Sequence, residues 1–271
     1  MSDPFGTSAL RSRVLDAWRA SPARFREDAN AEEDLRLGGY RDRWLVELAA
    51  NASDAAIAVG IKGSLRVAVS GGELRVANTG AALDSDGVAA LASLRASAKR
   101  EGVAVGRFGV GFSAVLALSD EPAILSTTGA VGFSAKATRQ AVAGIPSLRE
   151  ELERRFGEVP VLRLPWQAVA SPPAGFSTEV RLPLRAGVDA ATVLADARRQ
   201  AADLLLALPG LVRIEIDDNE WSREQDGPVV VLRGPECTTR WLPYRTRRVL
   251  AGDELAGLGV EARQRPEFAV C

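Results

Sequence analysis

The chain has 271 residues with 34 basic and 35 acidic side chains, and this near balance gives no global electrostatic case for binding nucleic acid or an acidic membrane. It contains no histidine, which excludes a His-ligated zinc site, a Ser-His-Asp triad and a phosphoacceptor histidine. Only two cysteines, no apolar run near the roughly 18 residues of a membrane span and no apolar leader predict a cytoplasmic protein without membrane association.

The N-terminal segment, residues 1–40, is predicted to hold a helix and a charged stretch. Residues 7–20 have an amphipathic pattern, with Thr7 as the expected N-cap and Ser21-Pro22 as the stop. Residues 24–43 are densely charged and leave two interpretations open. They form either an exposed connector or a segment that packs over a ligand site or across a dimer.

The motif ELAANASDA lies within a predicted helix over residues 41–58. It places Glu47, Asn51 and Asp54 at spacing i, i+4, i+7, so their side chains project from one face of that helix. The three offer a proton acceptor, a hard oxygen ligand for a cation and a second acceptor. The alanines between them leave room for a ligand, although a solvated helix face has the same pattern.

A predicted hairpin, residues 65–69 and 73–77, leads into the polar turn Asn78-Thr79-Gly80. After an Ala-rich stretch, the glycine-rich segment GRFGVGF (106–112) opens a predicted helix over 113–118. Such a segment can direct backbone N–H groups at an anion, and its glycines let the backbone approach phosphates closely. It therefore predicts an anion site, with a tight turn as the simpler alternative.

The rest of the chain has no regular βαβ alternation. The predicted strands are 123–127, 131–137, 161–165, 177–184 and 211–216, and the predicted helices are 147–156 and 188–208. Helices separated by hairpins favour an α+β fold with a mixed or mainly antiparallel sheet. Residues 228–234 and 238–250 also have strand patterns, and we expect residues 221–271 to begin a further β-rich segment of a longer or truncated protein.

Four motifs in chain order resemble the GHKL ATP-binding family, and most closely its Hsp90-like and sacsin-like branch. ELAANASDA, ANTGAAL and GRFGVGF are similar to the family's first three motifs, and FSTEVRLPL places Thr178 at its adenine-side threonine. SLRASAKR resembles the Hsp90-type lid hinge. The resemblance implies a two-layer α/β sandwich of Bergerat type over residues 41–220, with helices on one face and an ATP lid at about 81–105.

The resemblance also implies a role for each matching residue. Glu47 becomes the general base for attack of water on the γ-phosphate, Asn51 the Mg²⁺ ligand and Asn78 the acceptor for the adenine amino group. Gly80 allows close packing under the base. The other implied nucleotide contacts are Asp54 on the purine and ribose side with Ala55 beside it, Ala82 and Leu83 as walls of the base pocket, Thr178 at the far edge of adenine, Ser97, Lys99 and Arg107 near the phosphates, and Gly106, Phe108, Gly109, Val110, Gly111 and Phe112 around them.

Two positions depart from the family pattern. Asn78 replaces an aspartate, and a neutral amide accepts a hydrogen bond more weakly than a carboxylate does. That amide can also turn its NH₂ group outward and favour a different base. Ala82 replaces a glycine, and its methyl group crowds the adenine edge. We therefore expect binding of ATP and ADP to be retained but weakened.

The leading functional interpretation is a chaperone-type module that binds ATP with Mg²⁺, closes its lid, hydrolyses ATP slowly, and contacts a client protein or a second copy of itself. One alternative is a scaffold that binds nucleotide without hydrolysing it. Another is a DNA-transaction ATPase of MutL or MORC type, against which the neutral charge and the Hsp90-like hinge both count. Neither nucleic acid nor a membrane is an expected partner, and no Walker-type GxxxxGK[ST] motif is present.

Overall fold

The computed structural model describes residues 3–38, 43–93 and 111–244, and the backbone of two further strands, 246–249 and 267–270. The α-helices are α1 (Thr7–Ala20), α2 (Pro22–Leu37), α3 (Trp44–Ala58), α4 (Ser85–Ala92), α5 (Ala135–Ala143), α6 (Arg149–Arg154) and α7 (Ala190–Ala207), with 3-10 helices at Gly111–Ala117 and Pro146–Leu148. The strands are β1 (Gly63–Ser70), β2 (Glu73–Asn78), β3 (Ala123–Ser126), β4 (Gly129–Gly132), β5 (Trp166–Ala168), β6 (Thr178–Pro183), β7 (Leu211–Ile216), β8 (Asn219–Asp226), β9 (Val229–Arg233), β10 (Thr238–Trp241), β11 (Thr246–Val249) and β12 (Glu267–Val270).

Ten of these strands form one mixed sheet in the order β10-β9-β8-β7-β1-β2-β6-β3-β4-β5. Among the described strands, β1 and β7 form the one parallel pair, and the other neighbours are antiparallel. The prediction of an α+β fold with a mixed, mainly antiparallel sheet is confirmed. The arrangement is compatible with a two-layer sandwich.

The predicted hairpin is present and is closed by a two-residue turn. Ser70 pairs with Glu73, and the intervening Gly71 and Gly72 have φ of 61° and 79°. Turns with two positive φ values match the twist of paired strands, and glycine adopts them without a Cβ clash.

Alternation along the central strands places one apolar face against the helices. Leu65 and Val67 of β1 lie in the same core cluster as residues of α3 and α7. The predicted stripe of α7 is buried as expected: Val193, Leu194, Ala197, Ala201, Leu204, Leu205 and Leu208. The sheet and α7 together therefore fix the position of α3.

The charged segment after α1 forms a helix, α2, over Pro22–Leu37, so of the two interpretations left open, the exposed connector does not hold for these residues. Phe25, Ala29 and Glu32, spaced i, i+4, i+7, form its buried stripe. The Phe25 ring meets Trp18 edge-on at 5.1 Å between ring centroids, within a second core cluster. The sequence did not predict this buried stripe, because one of its three residues is a glutamate. The helix also packs against the 3-10 helix Gly111–Ala117.

Helix α1 begins at the predicted residue, but Thr7 is not its cap. Asp3 accepts hydrogen bonds from the backbone N–H groups of Thr7 and Ser8, both at 3.0 Å. Burial raises the pKa of Asp3, but the hydrogen bonds from Ser8 and Thr7 outweigh it, so the pKa lies below its usual value. An aspartate four residues before Thr7 therefore satisfies the first turn of α1.

The strand predicted at 161–165 is absent because its backbone groups bind side chains instead. The Glu32 carboxylate accepts hydrogen bonds from the N–H groups of Val161 and Leu162, the latter at 3.0 Å. The Arg11 guanidinium donates to the Pro165 carbonyl at 2.7 Å. The residues are buried as a strand would be, but the ladder begins only at β5.

The strand predicted at 131–137 ends early, at Gly132, because Ser134 caps α5 by accepting from the Ala137 N–H at 3.1 Å. The helix predicted at 113–118 is a 3-10 helix that starts at Gly111. Strand β8 was not predicted from the sequence, because all of its residues except Trp221 are polar.

The sheet continues across residue 220, the boundary proposed from the sequence. Strand β8 pairs with β7 on one side and β9 on the other. Val230 and Leu232 of β9 lie in the same core cluster as α7. Residues 219–241 thus extend the sheet that carries β1 and β2.

Candidate functional site

Helix α3 presents Glu47, Asn51 and Asp54 on a half-buried side, while Leu45, Leu48 and the intervening alanines pack into the core. The Glu47 side chain is 20% exposed, and its Oε1 lies 3.8 Å from an Nη of Arg43, one turn earlier. Asn51 makes no side-chain hydrogen bond to any residue that the structure describes, so its amide keeps its capacity to accept and donate.

The glycine-rich segment meets α3 at Glu47. Gly111 is buried, and a Cβ added there would overlap Glu47 Oε2 and lie 2.8 Å from Glu47 Cδ. Gly111 has no positive φ, so an added Cβ there would strain no backbone but would make the Glu47 carboxylate rotate away. The last glycine of the third motif therefore touches the candidate base of the first.

The turn after β2 is fastened to the same helix further along. Gly80 has φ of 130°, and a Cβ added there would lie 2.6 Å from the carbonyl carbon of Ala55. The Ala81 N–H donates to the Ala55 carbonyl at 2.9 Å. Thr79 and Ser64 of β1 exchange two further hydrogen bonds, at 3.1 and 2.9 Å. The close approach that Gly80 allows is thus to the backbone of α3.

Three polar side chains stand in one row across the sheet. Asn78 of β2 lies opposite Thr178 of β6, which lies opposite Ser126 of β3. Opposite residues in antiparallel strands share a face, and Asn78 also lies opposite the core residue Leu65. The row therefore faces the helices, at the end of the strands where the turn at Gly80 crosses to α3.

The Asn78 side chain is oriented by a local hydrogen bond. Its Nδ2 donates to the Thr79 carbonyl at 3.1 Å, which places Oδ1 on the other side of the amide. Within the part of the chain that the structure describes, no donor reaches Oδ1. Asn78 therefore offers an acceptor, and its NH₂ group is used within the turn.

The walls expected beside Asn78 are held by β3. Leu83 is buried, and its N–H donates to Ser126 Oγ at 3.0 Å. Thr128 Oγ1 donates to the Leu83 carbonyl at 2.5 Å. Ala82 is half-buried. Ser126 and Thr128 were not predicted, because their contacts with Leu83 depend on strand register, which no local pattern reveals.

Several predicted contacts fall outside this geometry. Ser97, Lys99, Gly106, Arg107, Phe108, Gly109 and Val110, and residues 94–105 of the predicted lid, lie outside the described residues. The Phe112 side chain lies in the core, 6.5 Å from the Phe133 ring, so only its backbone is placed to contribute to a phosphate site. We use the term motif surface for α3 from Glu47 to Ala55, the turn 78–83, Gly111 and Thr178.

A separate cleft of about 620 Å³ lies beside α2, and we call it the α2 cleft. Its charged lining includes Glu32, Arg36, Lys136, Arg139, Arg155 and Arg185. Burial raises the pKa of Glu32 to about 7, against the hydrogen bonds from Val161 and Leu162 and the charges of Arg163 and Arg36, which lower it. No residue of the motif surface lines this cleft.

Among residues 3–38, 43–93 and 111–244, no group of three or more His, Cys, Asp or Glu side chains is arranged to hold a metal ion. No helix within the described residues is long and apolar enough to cross a membrane. Comparison of the chain with protein-family models gives no match, and comparison with curated proteins gives none either.

Proposed function

We propose that the chain binds ATP and ADP at the motif surface, with Mg²⁺, and hydrolyses ATP slowly. One observation carries the proposal: segments far apart in sequence meet on a single helix, with Gly111 against Glu47 and Gly80 against Ala55. The two glycines differ in what a side chain would disturb: an added Cβ at Gly111 would displace the Glu47 carboxylate, and one at Gly80 would meet the α3 backbone at a positive φ. Close approach to α3 also occurs in packing, at Gly63 and Gly210. The proposal therefore rests on Gly111 and Gly80 belonging to the motifs of the resemblance.

The base would lie at the end marked by Asn78 and Thr178. The Asn78 Oδ1 is an acceptor, which fits the exocyclic amino group of adenine and opposes the carbonyl O6 of guanine. Thr178, the cross-strand neighbour of Asn78, supplies a hydroxyl that can either donate or accept. A neutral acceptor gives a weaker hydrogen bond than the family's aspartate, so moderate affinity is expected.

The phosphates would lie toward Glu47 and Gly111. Asn51 fits Mg²⁺ because its amide oxygen is a hard ligand with no partner among the described residues, and Mg²⁺ commonly takes one or two protein ligands. When bound, the ion would neutralise charge on the phosphates. Glu47 is the candidate base that accepts a proton from the attacking water, and Arg43 at 3.8 Å orients its carboxylate.

Calorimetric titration with ATP, ADP and GTP in Mg²⁺ buffer tests the binding claim. We expect wild-type Kd values between about 1 μM and 1 mM, and about tenfold weaker ATP binding by Asn78→Ala. Asn219→Ala, which removes the same side chain at the start of β8, is the matched control and should bind as the wild type does. Absence of nucleotide binding by the wild type would refute the proposal.

Hydrolysis is tested separately by phosphate release from Glu47→Ala. We expect a loss of about 10²-fold or more, the usual range for removing a general base. Glu224→Ala, an exposed acid of β8, is the control. Equal rates in wild type and Glu47→Ala, with binding intact, would leave a scaffold that binds nucleotide without hydrolysing it.

The chaperone-like part of the proposal rests on the resemblance to Hsp90-like proteins. It predicts that ATP, but not ADP, changes the association of the chain with a second copy of itself or with a client protein. Light scattering after size exclusion, with either nucleotide present, measures self-association directly. An identical mass with and without each nucleotide would remove self-association from the proposal.

A further inference from the structure

Ser126 carries a buried hydroxyl where β3, the turn after β2 and the start of β6 meet, beside the proposed position of the base. Ser126 is only 3% exposed to solvent. The Oγ accepts the Leu83 N–H at 3.0 Å and donates to the Ser177 carbonyl at 3.2 Å. The Ser177 N–H in turn donates to the Asn78 carbonyl at 3.0 Å. One hydroxyl thus links the turn after β2 to the start of β6.

Thr128, two residues after Ser126, completes the attachment of the turn, and its Oγ1 lies 3.2 Å from Ser126 Oγ. Its Oγ1 donates to the Leu83 carbonyl at 2.5 Å, so both backbone polar groups of Leu83 are satisfied by side chains from the β3–β4 region. Leu83 has no backbone ladder there to hold it. Without these hydroxyls the turn would keep its anchor on α3, at Gly80 and Ala81, and lose its anchor on β3.

We propose that Ser126 is a positioning residue for base recognition, an inference that rests on the proposed function. Ser126 need not touch the nucleotide. It fixes the distance between the wall at Leu83 and the Asn78–Thr178 pair, which stand in the same row of the sheet. The phosphate end depends on Glu47 and Gly111, which belong to other elements. Loss of the Ser126 hydroxyl should therefore affect the choice of base more than the binding of phosphates.

The test compares the ATP and GTP affinities of Ser126→Ala with those of wild type by calorimetry in Mg²⁺ buffer. We expect ATP binding to weaken about tenfold, with GTP binding changed less than about twofold, so that discrimination between the bases falls. Ser126→Thr keeps a hydroxyl and should restore most of the discrimination. Thr128→Val, at an exposed position, should show the same change to a smaller degree without risk to the core.

Ser119→Ala is the matched control for buried hydroxyl loss. Ser119 is fully buried and its Oγ accepts one backbone N–H, from Glu121 at 3.2 Å, away from the row. It should lower the unfolding midpoint as Ser126→Ala does and leave base discrimination unchanged. If the wild type binds ATP but Ser126→Ala weakens ATP and GTP equally, or neither, the inference is overturned alone. If the wild type binds no nucleotide, the proposed function and this inference fall together.

Discussion

The motif surface and the α2 cleft are both polar, but they use their polar groups differently. In the α2 cleft, Arg36 pairs with Glu158, Arg155 with Glu33 and Arg185 with Asp120. The buried Glu32 carboxylate is committed to two backbone N–H groups. On the motif surface, by contrast, the Asn51 amide and the Asn78 Oδ1 have no partner within the part of the chain that the structure describes.

Under the proposed function, the paired charges of the α2 cleft are structural and the two amides of the motif surface bind a ligand. Neither amide is among the fully buried side-chain atoms that lack a hydrogen-bond partner, so water can satisfy both until a ligand replaces it. The charges of these three ion pairs in the α2 cleft satisfy one another, although Arg155 Nε and Arg185 Nε are buried there without a hydrogen-bond partner among the described residues. The proposed nucleotide site therefore rests on the contacts of Gly111 and Gly80 with α3 and on two amides that water can reach, and not on the volume of a cleft.

The largest expected effect concerns the structural side of this comparison. Phe25→Ala removes a fully buried ring at the centre of the second core cluster, and we expect it to cost about 3–5 kcal/mol in free energy of unfolding. Urea denaturation followed by tryptophan fluorescence measures the loss. Phe156→Ala is the control, because that ring is 96% exposed and its removal should cost little. If Phe25→Ala is as stable as the wild type, α2 is not held by this cluster.

The second effect concerns the contact between the glycine-rich segment and the candidate base. In Gly111→Ala the new methyl group occupies the position of Glu47 Oε2, so the carboxylate must turn away. We expect ATP hydrolysis to fall about 10²-fold while ATP affinity changes less than tenfold. Gly132→Ala is the control, since its methyl would meet only Ala168 at 4.0 Å. The double variant with Glu47→Ala should be no slower than Glu47→Ala alone, and additive losses would argue against a shared cause.

The sequence predicted the elements whose signals are local. The Gly71-Gly72 hairpin and the stripe of α7 follow from turn chemistry and periodicity, and both are present. The Ser126 row could not be predicted, because it depends on the register of β3 against β6, two strands that are far apart in the chain. The strand predicted at 161–165 is absent for a related reason. The apolar pattern correctly indicates burial, but the backbone N–H groups of Val161 and Leu162 donate to the distant Glu32 carboxylate instead of to a neighbouring strand.

A third prediction concerns the raised pKa of the buried Glu32 in the α2 cleft. Because the folded-state pKa is about 7 and the ordinary value is 4.5, the folded protein holds a proton between these pH values that the unfolded chain has lost. The free energy of unfolding should therefore fall as pH rises through this window, by up to about 3 kcal/mol from this group. Glu32→Gln cannot titrate and should lack this component.

The measurement is urea denaturation of both proteins at several pH values between 4.5 and 7.5. The absolute stability of Glu32→Gln will also differ, because its NH₂ group cannot accept the second backbone N–H. The pH dependence of the difference between the two proteins is what decides. Two curves that run parallel across the window would show that Glu32 is ionised in the folded state throughout.

The smallest expected effect tests whether the unused acceptor of Asn78 is what selects adenine. Asn78→Asp keeps the shape and adds a charge, so a hydrogen bond from the adenine amino group should strengthen. Part of this gain is offset, because the carboxylate cannot donate to the Thr79 carbonyl as the amide does. We expect ATP affinity to rise about fivefold, measured by calorimetry with Asn219→Asp as the charge-matched control. GTP affinity should fall, since O6 of guanine is itself an acceptor. Equal tightening of both nucleotides would mean that the added charge acts at long range on Mg²⁺ rather than on the base, and the motif surface would then lose the feature that distinguishes it from a cleft of paired charges.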